Sequence, residues 1–324
     1  MKPLARLAAG LSLLALTFNA LADPAALRIG YQKGSIALVL AKEHGLLEKQ
    51  FPQTNVQWIE FPAGPQMLEA LNVGALDVGS TGDIPPLFAQ AAGADLVYIG
   101  AEPSKPAAEV ILVKNDSPLH SVAELKGKKV AFQKGSSSHN LILRALNKAG
   151  LTYKDIQPIY LSPADARAAF EQGSVDAWVI WDPYSSLALS EGHTRKLADG
   201  TGLGLSGPLY TARRQYAEQN GPFIHSLLDE LSQAEALTRS QRDESINVLA
   251  GNMSLPKPVV AQYIDNRPPS PISPIDDTIM AAQQVTADLF YQNRLLPKHV
   301  DVRQRCLEIG PRRPLPELRP VPQD

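Results

Sequence analysis

Two copies of one short motif contain the side chains best suited to bind a small anion. Gln32-Lys33-Gly34-Ser35 recurs 101 residues later as Gln133-Lys134-Gly135-Ser136, and Ser137 and Ser138 follow the second copy. The serine hydroxyls and glutamine amides can donate hydrogen bonds, while the glycines let an anion come close to the main chain. This chemistry predicts a site for a tetrahedral or planar oxyanion.

The elements around the motif are predicted to position it at helix N-termini. Each copy follows an apolar strand and opens a helix, with its serine at the capping position. Such a helix start presents unpaired N–H groups and about half a positive charge. A second echo, between residues 74–78 and 173–177, leads in both copies from a helix into a strand. Two similar lobes explain both echoes, and the alternative is two coincidences on one doubly wound sheet.

The order of predicted elements indicates the fold class. Strands and helices alternate from residue 27 to about residue 181, with one helix expected over residues 35–49. This alternation predicts an α/β fold in which each lobe is a mostly parallel sheet with helices on both faces. Residues 220–264 and 278–292 are predicted to be helical, and the proline-rich last fourteen residues are predicted to be extended.

Two α/β lobes would place ligand-binding loops on both sides of one cleft, at the carboxyl ends of their strands. Four helix starts, near residues 35, 81, 136 and 182, would line it. We expect residues 23–103 and 208–324 to form the first lobe and residues 104–207 to form the second. The chain would cross between lobes near residues 102–105 and 205–208, which contain proline or glycine and would serve as hinges.

Aromatic and acidic side chains accompany these helix starts. Trp181 and Tyr184 flank a turn, and Tyr31 precedes the first glutamine. A bare sulfate or nitrate ion does not need such rings, whereas an anion with an organic group would use them. Ordinary core packing remains the alternative, above all for Tyr31. Asp83 and Asp182 are predicted either to cap helices or to bind a polar substituent of the ligand.

The adjacent residues Ser138 and His139 raise the hypothesis of a secreted hydrolase. Consecutive helical side chains point about 100° apart, so these two do not face each other as a nucleophile and its base must. The sequence contains no G-x-S-x-G motif. Its six histidines lack the spacing of metal ligands, and its one cysteine, Cys306, permits no intrachain disulfide. These patterns predict a binding protein without enzymatic activity, cofactor or metal.

The first 22 residues are typical of a secretory signal peptide. Lys2 and Arg6 precede an apolar run, and Ala20-Leu21-Ala22 supplies the small residues of a cleavage site after Ala22. No cysteine follows that run to carry a lipid anchor. The net charge of −2 and the aromatic content of 6% argue against nucleic acid as a partner. We expect a monomer that is free in the periplasm of a bacterium.

Five segments of the chain resemble the periplasmic aliphatic-sulfonate-binding proteins that serve ATP-driven importers. The resemblance covers essentially the whole mature chain. It implies a two-lobed periplasmic-binding-protein fold of type II, closure on an alkanesulfonate, and delivery to the permease and ATPase of an ABC importer in the inner membrane for sulfur uptake. The segments are YQKGS (31–35), FPAGPQMLEALNVGALDVGSTGDIPP (61–86), AFQKGSSSHNL (131–141), PADARAAF (163–170) and DAWVIWDPY (176–184).

The same resemblance implies a set of ligand contacts. Binding proteins for taurine and nitrate share the architecture, so these anions are the alternative ligands. An enzyme of thiamine-pyrimidine synthesis shares the broad fold as well, but such enzymes are cytosolic and the signal peptide argues against this function. The implied contacts are Gln32, Ser35, Ser80, Thr81, Gly82, Ser136, Ser138, His139, Trp181, Asp182 and Tyr184.

Overall fold

A computed structural model describes residues 23–305 of the 324-residue chain. The predicted signal peptide, Cys306 and the proline-rich end lie outside the described residues. Ten strands occur in this range: β1 (Ala26–Tyr31), β2 (Asn55–Glu60), β3 (Val78–Thr81), β4 (Leu96–Ala101), β5 (Glu109–Lys114), β6 (Lys129–Phe132), β7 (Gln157–Tyr160), β8 (Ala177–Trp181), β9 (Thr194–Asp199) and β10 (Leu209–Arg213).

Twelve α-helices of the described range surround these strands. Those after residue 213 confirm the predicted helical last third. The helices are α1 (Ile36–Glu43), α2 (Leu46–Gln50), α3 (Gly64–Asn72), α4 (Ile84–Ala91), α5 (Ser137–Lys148), α6 (Pro163–Glu171), α7 (Tyr184–Ser190), α8 (Arg214–Gln219), α9 (Gly221–Ser240), α10 (Arg242–Met253), α11 (Lys257–Asp265) and α12 (Asp277–Gln292).

The strands form two separate five-stranded sheets, with orders β2-β1-β3-β10-β4 and β7-β6-β8-β5-β9. In the first sheet β1 pairs in parallel with β2 and β3, while β10 is antiparallel to both of its neighbours. In the second sheet β6 pairs in parallel with β7 and β8, while β5 is antiparallel to both of its neighbours. The predicted α/β architecture of mostly parallel sheets is therefore confirmed, with one antiparallel strand in each sheet.

Two crossing segments join the sheets, residues 102–108 between β4 and β5 and residues 200–208 between β9 and β10. They run side by side, because the amide of Glu102 donates to the carbonyl of Pro208 over 2.9 Å and the amide of Gly200 donates to the carbonyl of Pro106 over 3.0 Å. Each antiparallel strand is the one that the chain enters directly after such a crossing. The predicted hinges fall within these segments, and the lobe boundaries at residues 103/104 and 207/208 stay predictions.

Apolar helix faces cover the first sheet and account for its core. Leu27 and Ile29 of β1 are fully buried against Leu38 of α1 and against Leu227 and Leu231 of α9. Burial of each such side chain contributes about 1.5–3 kcal/mol. The expected single helix over residues 35–49 was wrong, because Gly45 adopts the left-handed conformation with φ of 59° and divides it into α1 and α2.

Candidate functional site

A cavity lies between the two sheets, where several helices begin. Eight of the eleven predicted contacts line it, together with residues of the crossing segments. The first-lobe contacts come from the β1–α1 and β3–α4 connections, and the second-lobe contacts come from the β6–α5 and β8–α7 connections. The eight residues are Gln32, Ser35, Ser80, Thr81, Gly82, Ser136, Trp181 and Asp182.

Backbone and side-chain hydrogen bonds shape the β1–α1 side of the cavity. The amide of Ser35 donates to the carbonyl of Gln32 over 2.8 Å, which makes a tight turn before α1. The side-chain amide of Gln32 donates to the carbonyl of Ser80 over 3.3 Å and ties this turn to β3. The Ser35 oxygen accepts from the amide of Gln32 over 3.4 Å. No described residue accepts the Ser35 hydroxyl proton, so this donor is available to a ligand.

The second lobe reaches the cavity through the start of α5. The hydroxyl of Ser136 donates to the carbonyl of Gln133 over 2.7 Å, and this bond closes the second copy of the turn. Gly82 lies directly opposite, since a Cβ there would stand 2.9 Å from the Cβ of Ser137. A Cβ at Gly34 would stand 2.9 Å from the carbonyl oxygen of Asp182. The lobes thus approach each other at two glycines that leave no room for a side chain.

Ser138 and His139 do not line the cavity, because the helix turns both side chains into the protein interior. Both residues are fully buried. The His139 ring lies 5.0 Å from the ring of Phe290 and 5.2 Å from that of Phe132, centroid to centroid. The amide of Gly135 donates to Nδ1 of His139 over 3.2 Å, so the ring proton is on Nε2. Burial lowers the pKa of His139 to about 3, and the ring is neutral at physiological pH.

The hydrolase hypothesis finds no support in this geometry. The Ser138 hydroxyl has no hydrogen-bond partner among residues 23–305, so it is not hydrogen-bonded to the adjacent imidazole. A serine nucleophile requires a base within hydrogen-bond reach.

Tyr184 lines a neighbouring cavity with Lys33, Phe61 and Leu255. Its ring meets the ring of Trp181 edge to face, with the centroids 6.3 Å apart. Trp181 lines the first cavity, so the two aromatic side chains stand between the two spaces. Tyr31 instead belongs to the core, with 5% of its surface exposed.

The two aspartates that were expected near the helix starts have different roles. One oxygen of Asp182 accepts from the Ser185 hydroxyl over 2.6 Å and from the Ser186 amide over 2.9 Å, so Asp182 binds the first turn of α7 from the residue before its N-cap, Pro183. Its other oxygen accepts from the side-chain amide of Asn266 over 2.7 Å. Asp83 makes no cap hydrogen bond to α4 and accepts from Asn140 of α5 over 2.6 Å. Burial raises the pKa of Asp83 to about 6.

The predicted helix starts near residues 81 and 182 were two to three residues early. The structure begins α4 at Ile84 and α7 at Tyr184. Prolines at residues 85 and 86 fit the first turn of α4 because its first N–H groups have no partner within the helix.

The first crossing segment and the start of β5 supply charged residues that were not predicted to belong to the site. Glu102, Lys105 and Glu109 all line the cavity. Glu102 accepts from Arg267 over 2.9 Å, and the two side chains are only 5% and 1% exposed. The Lys105 ammonium forms no hydrogen bond or ion pair with the described residues, and burial lowers its pKa to about 8. The predicted hinge at residues 102–105 was the sequence signal that could have indicated a role of this segment in the site.

Residues 23–305 were also compared with the requirements of a metal site and of a membrane-spanning helix. No group of three or more histidine, cysteine, aspartate or glutamate residues there could hold a metal ion. Within the same part of the chain, no helix combines the length and the apolar character needed to span a membrane.

Comparisons with known proteins add family relationships to this geometry. Residues 33–245 match the family described as NMT1/THI5 like. The chain is 66% identical to the periplasmic aliphatic sulphonate binding protein SsuA from Escherichia coli, with a TM-score of 0.82 over 88% of this chain and 98% of that chain. It is 56% identical to the alkanesulfonate-binding protein SsuA from Xanthomonas axonopodis pv. citri bound to MOPS, with a TM-score of 0.87 over 88% and 99%. The taurine-binding periplasmic protein of Escherichia coli is 23% identical over 81% of this chain and 80% of that protein.

Proposed function

This chain belongs to the NMT1/THI5-like family, and we propose that it is a periplasmic solute-binding protein that captures aliphatic sulfonates for an ABC importer. The observation that carries the proposal is the convergence of eight residues from both lobes on one cavity. The similarity to two sulfonate-binding proteins, at 66% and 56% identity, supports the choice of ligand.

The cavity suits the head group of a sulfonate. Three equivalent oxygens share one negative charge, and each oxygen only accepts hydrogen bonds. Among the hydroxyl groups that line the cavity, that of Ser35 has no acceptor in the described residues and can donate to a sulfonate oxygen. The helix starts bring N–H groups with a positive partial charge. A ligand held from both sides stabilises the closed arrangement, because only that arrangement makes both sets of contacts.

The aromatic pair suits the organic part of the ligand. Trp181 borders the head-group cavity and Tyr184 borders the adjoining one. An alkyl chain that leaves the head group along these rings would bury apolar surface at about 25 cal/mol per Å². Inorganic anions would gain nothing from this contact, so the rings favour an organic sulfonate over nitrate or sulfate.

The same proposal covers location and partners. The protein would be exported by residues 1–22, cleaved after Ala22, and act as a monomer in the periplasm. Its closed form would dock on the permease of an importer driven by an ATPase. It would carry out no chemical step, since its role is capture and release.

A panel of anions tests this function through the melting temperature. Bound ligand at about a hundred times its Kd adds about 2.7 kcal/mol of stability, which raises the melting temperature by a few degrees. We expect that rise with ethanesulfonate and a smaller one or none with taurine, nitrate or sulfate. The buffer must be free of sulfonates, which excludes MOPS. A rise with nitrate or taurine and none with any unsubstituted alkanesulfonate would overturn the proposed ligand.

A further inference from the structure

An acidic side chain faces the cavity in which an anion is expected. Glu109 begins β5, lines the cavity and is 7% exposed. Its Oε2 atom has no hydrogen-bond partner among the described residues. A buried carboxylate oxygen without a partner is costly, and a sulfonate next to it would add repulsion between like charges. Glu109 and an anionic ligand can therefore share the cavity only if one of the two negative charges is neutralised.

The groups around Glu109 do not balance the negative charge of its ionised carboxylate. Lys105 of the crossing segment is the one lysine or arginine among the described residues that line the cavity, and its charge favours the ionised form of Glu109 without forming an ion pair. Asp83 adds negative charge from the start of α4. Ser137 of α5 faces the carboxyl group. Asp182 and Glu102 also line the cavity, and both already accept hydrogen bonds from other residues. Burial and the charge of Asp83 raise the pKa of Glu109 to about 7.

We propose that Glu109 binds the sulfonate in its protonated form, as a hydrogen-bond donor, so that ligand capture takes up one proton from solvent. This inference rests on the proposed function of the cavity. In it the Oε2–H group donates to a sulfonate oxygen, and Lys105 supplies the positive charge that balances the ligand. The arrangement selects oxyanions of strong acids, because they remain ionised and accept hydrogen bonds at any pH at which Glu109 carries its proton.

Proton uptake by the unmodified protein is the primary test. Ethanesulfonate is titrated into the unbuffered full-length mature protein while a pH electrode records the proton balance. We expect about one proton per bound ligand from Glu109 at about pH 8, with a further fraction from Lys105, and little uptake at about pH 6, where both groups are already protonated. The Kd should rise about tenfold between these two pH values, because only the protonated fraction binds.

The Glu109→Gln variant separates this carboxyl group from Lys105. Glutamine keeps a donor without a titratable proton, so its Kd should change less than about threefold over the same range. Proton uptake at about pH 8 should fall by nearly one proton per ligand, to the fraction that Lys105 takes up. Glu244→Gln on the exposed face of α10 is the matched control and should behave like the unmodified protein. Circular dichroism verifies folding of each variant.

The outcomes separate the two proposals. Binding of ethanesulfonate without proton uptake by the unmodified protein overturns the role of Glu109 and leaves the sulfonate function in place. Uptake that is undiminished in Glu109→Gln also overturns it, since the proton then goes to another group. Absence of ethanesulfonate binding at every pH overturns the proposed function itself. If Glu109→Gln fails to fold, the proton balance of the unmodified protein decides.

Discussion

Gly207 and Glu102 lie so close together that a Cβ at residue 207 would stand 1.9 Å from the carbonyl oxygen of Glu102. The next atoms in reach belong to the main chain of Pro103. No flexible side chain can turn away, so the two crossing segments depend on glycine at this point. Their close pairing sets the geometry of the proposed hinge.

Gly207→Ala should therefore push the crossing segments apart. We expect a loss of about 1–3 kcal/mol in the free energy of unfolding and a weaker affinity for ethanesulfonate. Urea unfolding and titration calorimetry measure the two effects. Gly251→Ala is the control, because its Cβ would meet no atom within 4 Å, and it should be neutral or slightly stabilising. Equal behaviour of the two variants would contradict the role of Gly207.

Ser35 and Ser138 offer a matched pair of serine-to-alanine substitutions. Ser35 lines the cavity with an uncommitted hydroxyl proton, whereas Ser138 is fully buried outside the cavity. Ser35→Ala should weaken ethanesulfonate binding by about tenfold or more, since a hydrogen bond to a charged group is worth about 1.5–3 kcal/mol. Ser138→Ala should leave the Kd within about twofold. Calorimetry distinguishes them, and the reverse order would place the ligand against the other serine.

The buried pair Arg267–Glu102 makes a prediction about stability. Arg267 donates to Glu102 over 2.9 Å and to the Tyr263 hydroxyl over 3.1 Å, and Glu102 also accepts from Tyr210. Arg267→Met should cost about 3–5 kcal/mol in urea unfolding because it strands a buried carboxylate. The double variant Glu102→Gln with Arg267→Met should cost clearly less than the two single costs combined. Additive costs would show that the pair is not coupled.

His139 predicts a pH dependence of stability. The unfolded chain binds a proton at this ring below about pH 6.5, whereas the folded protein does so only near a pKa of about 3. As pH falls from about 6.5, the stability should therefore decrease by up to about 1.4 kcal/mol per pH unit. Asp83 and Glu109 act in the opposite direction, because their raised pKa values make stability fall as pH rises.

Comparison with His139→Asn isolates the contribution of the ring. Asparagine can still accept from Gly135 but does not titrate, so the variant should be less stable near neutral pH yet lose less on acidification. Urea unfolding at several pH values measures this difference in slope. His120→Asn, at an exposed position, should keep the slope of the unmodified protein. Parallel slopes for the His139 variant and the unmodified protein would be incompatible with a neutral buried ring.

Local signals were sufficient to predict the two turns that line the cavity. At Gln32–Ser35 and at Gln133–Ser136 an apolar strand, a glycine and a serine follow one another within a few residues, and each feature acts over that short distance. The alternation of strands and helices predicted the fold class for the same reason. It was harder to predict which side chains at the start of α5 face the cavity. Ser136 precedes the helix and faces the cavity, whereas Ser138 and His139, two and three residues later, face the protein interior.

Long-range features had no such signal. Glu102 and Arg267 are separated by 165 residues, and nothing near either residue indicates its partner. Lys105 and Glu109 lie in a segment where proline indicated only a crossing. The position of β10 between β3 and β4 depends on strand pairing between segments distant in sequence, which periodicity does not encode.

The place of β10 has a consequence for the order in which the two sheets can fold during synthesis. This strand lies between β3 and β4, yet the residues that form it follow the entire second sheet in sequence. A nascent chain that has reached residue 200 can complete the second sheet but holds the first one split in two. This interior strand therefore delays completion of the first sheet until residue 213 of 324, about two thirds of the chain, has been made.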